Sequence, residues 1–272
     1  MKFCRFMTDG QIHYGAVEDR GGELWIASLA QAPEEDLSFR LSHVQATPLS
    51  SDFAPMPLSA ADLLPPVTPS KIVCVGRNYR DHAKELGNEV PAEPLLFFKP
   101  PSSLLKPKGT VLMPAASARV DFEGELALVI GKRASKLGPN SNWRSYIRGY
   151  TLANDITARD LQKKDGQWTR AKGFDTFCPV GPLVSDELDP ATGVTIETRV
   201  NGELRQHGST LDFIFPISEL LTYITAAITL EPGDLVLTGT PSGVGPLNSG
   251  DRVEVSVPGL GVLANTVRQE AD

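Results

Sequence analysis

Apolar residues recur along this chain at two periods, and the period of two dominates. Over residues 1–45 short alternating runs, Lys2 to Met7, Gln11 to Val17 and Glu23 to Leu29, are separated by Asp9-Gly10 and Gly21-Gly22. Gly and Asp in such gaps are hairpin signals, so the runs predict short strands. The pattern breaks between Ala46 and Ser70. There Pro48, Pro55, Pro57, Pro65, Pro66 and Pro69 punctuate a Ser/Ala/Leu mixture, and a linker is expected. Beyond it the strand-like runs lengthen: Lys71 to Val75, Leu95 to Lys99, Glu125 to Ile130 and Gly149 to Asn154. Val194 to Val200 and Glu203 to Gln206 flank Asn201-Gly202, a two-residue hairpin turn. Leu235 to Thr238, Arg252 to Val257 and Val262 to Val267 close the series.

Helical spacing is rarer. Ile217, Leu220, Leu221, Ile224 and Ile228 form a core-facing stripe within a helix expected over Pro216 to Leu230. Asn78 to Leu86 predicts a shorter helix, with Asn78 as N-cap and Asp81 in the first turn. Thr157 to Lys164 predicts another. Helices do not alternate regularly with strands, so the expected class is strand-rich α+β rather than doubly wound. The 272 residues suffice for two unequal domains. A small N-terminal domain with its linker is expected over 1–68, and the main domain over 69–272.

Composition narrows the function classes. The chain is 41% hydrophobic and 22% charged, with a formal net charge of −7. A nucleic-acid-binding face needs a basic patch, which this balance disfavours. No run approaches the ~20 apolar residues that span a bilayer, and the start carries no cleavage-site pattern. Cys4, Cys74 and Cys178 are far apart and form no C-x-x-C, which argues against a disulfide framework or zinc ribbon and fits a reducing, cytoplasmic setting.

The candidate chemistry is acidic. Glu123 and Glu125 head an apolar run, and residues two apart on a strand point to one face. Like charges so close repel unless a proton or cation lies between them. Asp155 ends the next apolar segment. Three oxygen ligands without a nearby Cys pair describe a site for Mg²⁺, Mn²⁺ or Ca²⁺; a solvated edge residue beside a buried salt bridge gives the same pattern. His82 and Glu85 are helical neighbours, either an imidazole oriented by a carboxylate or an exposed pair. Arg159 and Gln162 share a helical face suited to a substrate carboxylate, although Arg159 can equally pair with Asp155 or Asp160. Lys172 is a candidate oxyanion partner or a surface lysine. The Gly-rich segment Thr238 to Gly245 lacks a P-loop ending, which makes nucleotide binding improbable. It can offer backbone N–H groups and the Thr240 hydroxyl to an anion.

Taken in order, these segments resemble the fumarylacetoacetate hydrolase family. The resemblance rests on Val75-Gly-Arg-Asn-Tyr, His82-Ala-Lys-Glu85, Phe97-Phe-Lys-Pro, Asp121-Phe-Glu-Gly-Glu-Leu, Gly149-Tyr-Thr-Leu-Ala-Asn-Asp-Ile-Thr-Ala-Arg-Asp, Ala171-Lys-Gly-Phe-Asp, Val200-Asn-Gly-Glu and Leu237-Thr-Gly-Thr-Pro-Ser-Gly-Val-Gly. It implies a mixed β-sheet roll as catalytic domain, usually in a homodimer, preceded here by a small N-terminal domain. It implies that Glu123, Glu125 and Asp155 bind the divalent metal, Mg²⁺ or else Mn²⁺ or Ca²⁺. His82 and Glu85 match a catalytic pair on a mobile lid helix. Lys172 and Gln162 match groups near the metal, and Thr240 matches a loop contact. The implied substrate is a 2-oxo or 2,4-dioxo acid. Hydrolysis of a C–C bond in an acylpyruvate or fumarylpyruvate through an enolate leads, ahead of isomerisation, tautomerisation or decarboxylation of a 2-oxo diacid. A binding module without turnover stands last. A diacid needs a second cation in the pocket, for which Arg77 and Arg80 are candidates; Tyr79 is a further candidate substrate contact.

Overall fold

The computed structural model describes residues 1–31, 53–87 and 89–270. The expected strand content of 32–45, part of the linker (46–52) and one residue of the expected lid (88) lie outside the described residues. The first strands are β1 (Lys2–Thr8), β2 (Gln11–Arg20), β3 (Glu23–Ala30), β4 (Met56–Pro57) and β5 (Asp62–Leu64). Then follow β6 (Ile72–Gly76), α1 (Arg80–Glu85), β7 (Leu95–Lys99), β8 (Leu104–Leu105), β9 (Thr110–Met113), β10 (Val120–Phe122) and β11 (Gly124–Ile130). After them come β12 (Ile147–Asn154), β13 (Thr157–Ala158), α2 (Arg159–Asp165), α3 (Thr169–Gly173) and β14 (Cys178–Ser185). The last elements are β15 (Thr195–Val200), β16 (Glu203–Ser209), α4 (Ile217–Ala227), β17 (Leu235–Leu237), β18 (Gly245–Pro246), β19 (Arg252–Val257) and β20 (Gly261–Gln269).

A 12-stranded sheet runs β4-β3-β2-β1-β14-β12-β11-β17-β6-β7, with β5 on β1 and β8 on β14. A five-stranded sheet, β16-β15-β19-β20-β9, and a three-stranded one, β13-β10-β18, complete the mixed architecture. Parallel pairing of β17 with β6 lets the segments before α1 and after β17 leave the sheet at the same end.

The centre is β11, buried along its whole length. A strand covered on both faces needs apolar residues at both parities. Leu126, Leu128 and Ile130 pack with Leu220, Leu221 and Ile224 of α4. Ala127 and Val129 pack on the other face with Cys74, Cys178, Leu235 and Leu237. Each fully buried Leu or Ile of α4 contributes about 1.5–3 kcal/mol, which is why the helix docks there.

Four expectations are corrected. Asn78 caps no helix: α1 starts at Arg80 with Tyr79 as N-cap, and the Asn78 amide is buried. It donates to Phe215 O at 3.2 Å and Thr238 O at 2.8 Å, and accepts from Phe215 N at 2.9 Å. The helix expected over Thr157 to Lys164 is a short strand followed by α2, because Thr157 and Ala158 pair with β10. The helix over Pro216 to Leu230 stops at Ala227; Ile228 turns extended and Leu230 forms a bridge to Ala134. The described part of the Pro-rich stretch is not a bare linker: it carries two short paired strands, β4 on β3 and β5 on β1. Several strands are absent from the sequence reading, among them β9, β10 and the long β14. Pro179 and Pro182 argue against β14, yet it is buried throughout and joins β1 to β12 across an irregular register.

Candidate active site

Glu123 sits in the gap between β10 and β11, which belong to different sheets. The chain is therefore kinked at Glu123, and the two glutamates do not share one regular strand. The kink is held by Asn154 Oδ1, which accepts from Glu123 N at 2.9 Å, and by Asp155 N, which donates to Glu123 O at 2.8 Å. Asp155 follows the last residue of β12, so these bonds also fix its position. The result is a buried cluster in which one oxygen each of Glu123, Glu125 and Asp155 lies within 4.8 Å of the others.

Buried cations surround two of the three. Lys172 Nζ, from α3, donates to Glu123 Oε2 at 2.8 Å and Asp155 Oδ2 at 2.6 Å. Lys99 Nζ, at the end of β7, donates to Asp155 Oδ1 at 2.7 Å. Arg159 Nη2 donates to Glu123 Oε1 at 2.6 Å, its Nε to Asp121 Oδ2 at 3.0 Å and its Nη1 to Gln162 Oε1 at 2.7 Å. Burial alone disfavours the charge on Glu123, but Lys172 and Arg159 outweigh it and hold the carboxyl below the usual carboxylate range. Burial likewise opposes the charge on Lys172, while Asp155 and Glu123 more than offset it and raise its pKa.

Glu125 differs. It accepts from Gly239 N at 2.7 Å but has no ion-pair partner among the described residues. Burial pushes its carboxyl well above the usual range, and the charges of Asp155 and Glu123 add to the effect. The charge of Lys172 and the Gly239 N–H oppose that rise without reversing it. Three hard oxygens with lone pairs to spare and no thiolate suit Mg²⁺, Mn²⁺ or Ca²⁺. The residues present therefore fit a divalent cation. Gly239 is needed for this arrangement: its φ is +99°, and a Cβ there would lie 2.8 Å from Asn78 Cβ.

The cluster opens into a cavity of about 520 Å³. Arg77, Arg119, Arg159, Lys163 and Lys172 line it, against Glu85, Glu123, Glu125 and Asp155, together with His82, Gln162 and Thr240. Charge thus favours an anion once a divalent cation is counted. His82 is buried and its Nδ1 lies 3.4 Å from Glu85 Oε2. In the tautomer that Glu85 favours, Nδ1 carries the proton and Nε2 holds the lone pair. Glu85 is itself anchored by Gly243 N, at 3.0 and 3.2 Å from its two oxygens. Burial works against its ionisation, but the bonds from His82 and Gly243 prevail and lower its pKa. The loop from Thr238 to Gly243 therefore holds Glu125 at one end and Glu85 at the other. Thr240 Oγ1 donates to Gly124 O at 2.8 Å and accepts from Gln206 Nε2 at 2.7 Å.

Of the residues singled out from sequence, Tyr79 is not brought to this cavity. Its ring packs edge-on to Phe213 at 5.1 Å, burial pushes its hydroxyl pKa up, and that hydroxyl has no hydrogen-bond partner among the described residues. Arg80 lines a separate depression with Tyr79. Arg159 pairs with Asp121 and Glu123, where the sequence left Asp155 and Asp160 open. Sequence reasoning missed Lys99, Phe97, Trp168 and Gln206 as site components. For Lys99 a signal existed: it alternates with Phe97 on β7, so the two share a face, and both reach the site.

The profile "Fumarylacetoacetate (FAA) hydrolase C-terminal" matches residues 71–268, and "Rv2993c-like, N-terminal" matches 1–66. Oxaloacetate decarboxylase, mitochondrial, of Dictyostelium discoideum is 46% identical over 199 residues, covering 71% of this chain and 91% of that protein. Oxaloacetate tautomerase YisK of Bacillus subtilis is 42% identical over 225 residues, covering 77% and 74%. Among solved structures, 2-hydroxyhepta-2,4-diene-1,7-dioate isomerase from Mycobacterium marinum superposes with a TM-score of 0.84 at 37% identity, covering 100% of both chains. Fumarylpyruvate hydrolase from Pseudomonas aeruginosa, in complex with Mn²⁺ and pyruvate, gives 0.69 at 32% identity, covering 74% of this chain and 90% of that one. With the first profile spanning well over half of its length, the chain belongs to the fumarylacetoacetate hydrolase family.

Proposed function

We propose that the chain is a divalent-metal-dependent enzyme that enolises a short 2-oxo acid at C3, with tautomerisation or decarboxylation of an oxaloacetate-type acid as its reaction. The observation that carries this reading is that the acidic triad and the His82–Glu85 pair open into one cavity. When held by Glu123, Glu125 and Asp155, the cation supplies positive charge for the carboxylate and 2-oxo oxygens of the substrate. His82 Nε2 takes the C3 proton, while Glu85 accepts from Nδ1 and stabilises the imidazolium. Lys172 keeps a buried positive charge beside the oxygen that becomes anionic. In tautomerisation His82 returns the proton to oxygen. In decarboxylation the C3–C4 electron pair flows toward the 2-oxo oxygen, CO₂ leaves, and a proton taken up from solvent and relayed by His82 completes C3. The names of the Dictyostelium and Bacillus relatives favour this order of readings over the one the sequence alone suggests.

Hydrolysis of an acylpyruvate is the second reading, favoured by the same dyad and by the likeness to fumarylpyruvate hydrolase. There His82 takes a proton from water, which attacks the distal carbonyl. The C3–C4 bond breaks, and the departing three-carbon enolate is protonated at C3. Proton NMR of metal-stripped protein with oxaloacetate and with acetylpyruvate, before and after Mg²⁺, separates the two. Mg²⁺-dependent exchange or loss of the oxaloacetate C3 protons supports the first. Acetate formed from acetylpyruvate without an effect on oxaloacetate moves the assignment to the second. Silence on both substrates removes both. His82→Ala is expected to lose turnover while keeping Mg²⁺ binding by calorimetry; unchanged turnover excludes His82 as the base.

A further inference from the structure

We infer that Arg77 is the residue that selects a 2-oxo diacid, by gripping the distal carboxylate of the substrate. The inference rests on the 2-oxo acid reading above and adds which end groups the site accepts.

The argument is one of elimination among the cavity's cations. Lys172 is committed to Glu123 and Asp155, and Arg159 to Asp121, Glu123 and Gln162. Arg119 is paired with Asp121 through Nε at 2.8 Å and Nη2 at 3.1 Å. Lys163 is exposed. Arg77 is half-buried, lines the cavity, and has no ion pair or hydrogen bond from its guanidinium among the described residues. A planar fork of donors with no protein partner, in a site that favours anions, is suited to a carboxylate.

Its placement fits the far end of a substrate. The Arg77 guanidinium lies over the Trp168 ring at 5.9 Å. Trp168 meets Phe97 edge-on at 5.3 Å, and Lys172 Nζ lies 5.0 Å over Phe97. Two cations therefore stand over neighbouring rings of one aromatic wall, Lys172 over Phe97 beside the triad and Arg77 over Trp168. A 2-oxo acid whose keto-acid end lay at the triad would extend its other terminus along this wall. The Arg77 backbone is left-handed, with φ 57°. Such a conformation is unfavourable for a non-Gly residue and is often kept where a side chain must be aimed.

The test uses Mg²⁺-loaded protein and matched pairs: oxaloacetate with 2-oxobutyrate, 2-oxoglutarate with 2-oxovalerate, and 2-oxoadipate with 2-oxohexanoate. Deuterium exchange at C3 is followed by proton NMR. Trp168 fluorescence, assigned with Trp168→Phe, gives binding of the non-decarboxylating ligands. The wild type should prefer the diacid of at least one pair by about 10- to 100-fold, the worth of a charge-assisted fork. Arg77→Asn, which tolerates a left-handed backbone, should collapse that ratio by lowering the diacid rate far more than the monoacid rate, and Arg77→Lys should restore part of it. A ratio near one in the wild type, a ratio kept in Arg77→Asn, or a collapse caused instead by Lys163→Met overturns the assignment. Absence of exchange with every substrate refutes enolisation but not the role of Arg77, which the fluorescence ratio then decides.

Discussion

Asn78 gives the sharpest test of how the site is held. Its side chain joins three segments far apart in sequence: its own turn between β6 and α1, the chain before α4 at Phe215, and Thr238 after β17. The residue is fully buried. Asn78→Ala removes three hydrogen bonds and leaves Phe215 N, Phe215 O and Thr238 O without that partner. Each bond is worth about 1 kcal/mol net, and an orphaned buried group adds about 1–3 kcal/mol, reduced where water or relaxation reaches it. A loss of about 4 kcal/mol is expected. For a chain of this size that lowers the thermal midpoint by ~10 °C.

Asn78→Asp sharpens the test. It keeps the acceptor for Phe215 N but turns a carboxylate toward two carbonyls. Burial raises the carboxyl pKa above its unfolded value of about 3.9, so the penalty is full at neutral pH and shrinks as pH falls through the folded pKa. Differential scanning fluorimetry at pH 5 and pH 8, with urea unfolding as a second probe, measures both variants. A loss below ~1 kcal/mol for Asn78→Ala, or an Asn78→Asp midpoint that does not recover relative to Asn78→Ala at pH 5, would falsify the claim that this amide satisfies buried backbone.

Lys172→Met strips the positive charge from Glu123 and Asp155, and removing one partner of a buried ion pair costs about 3–5 kcal/mol. The metal-stripped variant should melt earlier and gain more from saturating Mg²⁺ than the wild type; an equal gain in both refutes the view that the two cations share the cluster. The lowered pKa of Glu85 predicts that wild type exceeds Glu85→Gln in stability above the unfolded value of about pH 4.3. That advantage should vanish as pH falls through the folded pKa, and urea midpoints differing equally at pH 3 and pH 7 contradict it. Burial pushes Cys4 and Cys178 up to about 12, and Cys74 is raised as well. At pH 8 a thiol with that pKa is ~1 part in 10⁴ thiolate, so Ellman's reagent should find no reactive thiol in the folded chain and three after denaturation. Fast labelling of the native protein would mean that at least one of these sites opens.

What the sequence discloses about this fold follows from which constraints are local. Hairpins marked by Asp9-Gly10, Gly21-Gly22 and Asn201-Gly202 are legible because the turn needs those residues, and β1 to β3, β15 and β16 lie where the turns place them. The stripe of α4 is legible because its period is set by its own geometry. Elements decided by distant chain are not. Asn78 has the composition of a cap, but its partners lie at 215 and 238; Pro179 and Pro182 look like strand breakers, but β14 is stitched between β1 and β12. The site follows the same rule. Glu123 and Glu125 attract notice through spacing alone, and the structure does bring them together with Asp155. The reason is different from the one the spacing suggests, since the strand breaks at Glu123 and the pair is set by bonds to 154 and 155. Lys99 escapes notice because a lysine at a strand end is ordinary until the negative charge opposite it is known. A site that gathers four carboxylates around a few cations from different loops is therefore readable residue by residue for its acids. Its cations acquire their roles only when the fold shows which of them are already spoken for, and among the described residues Arg77 is the half-buried one without an ion pair.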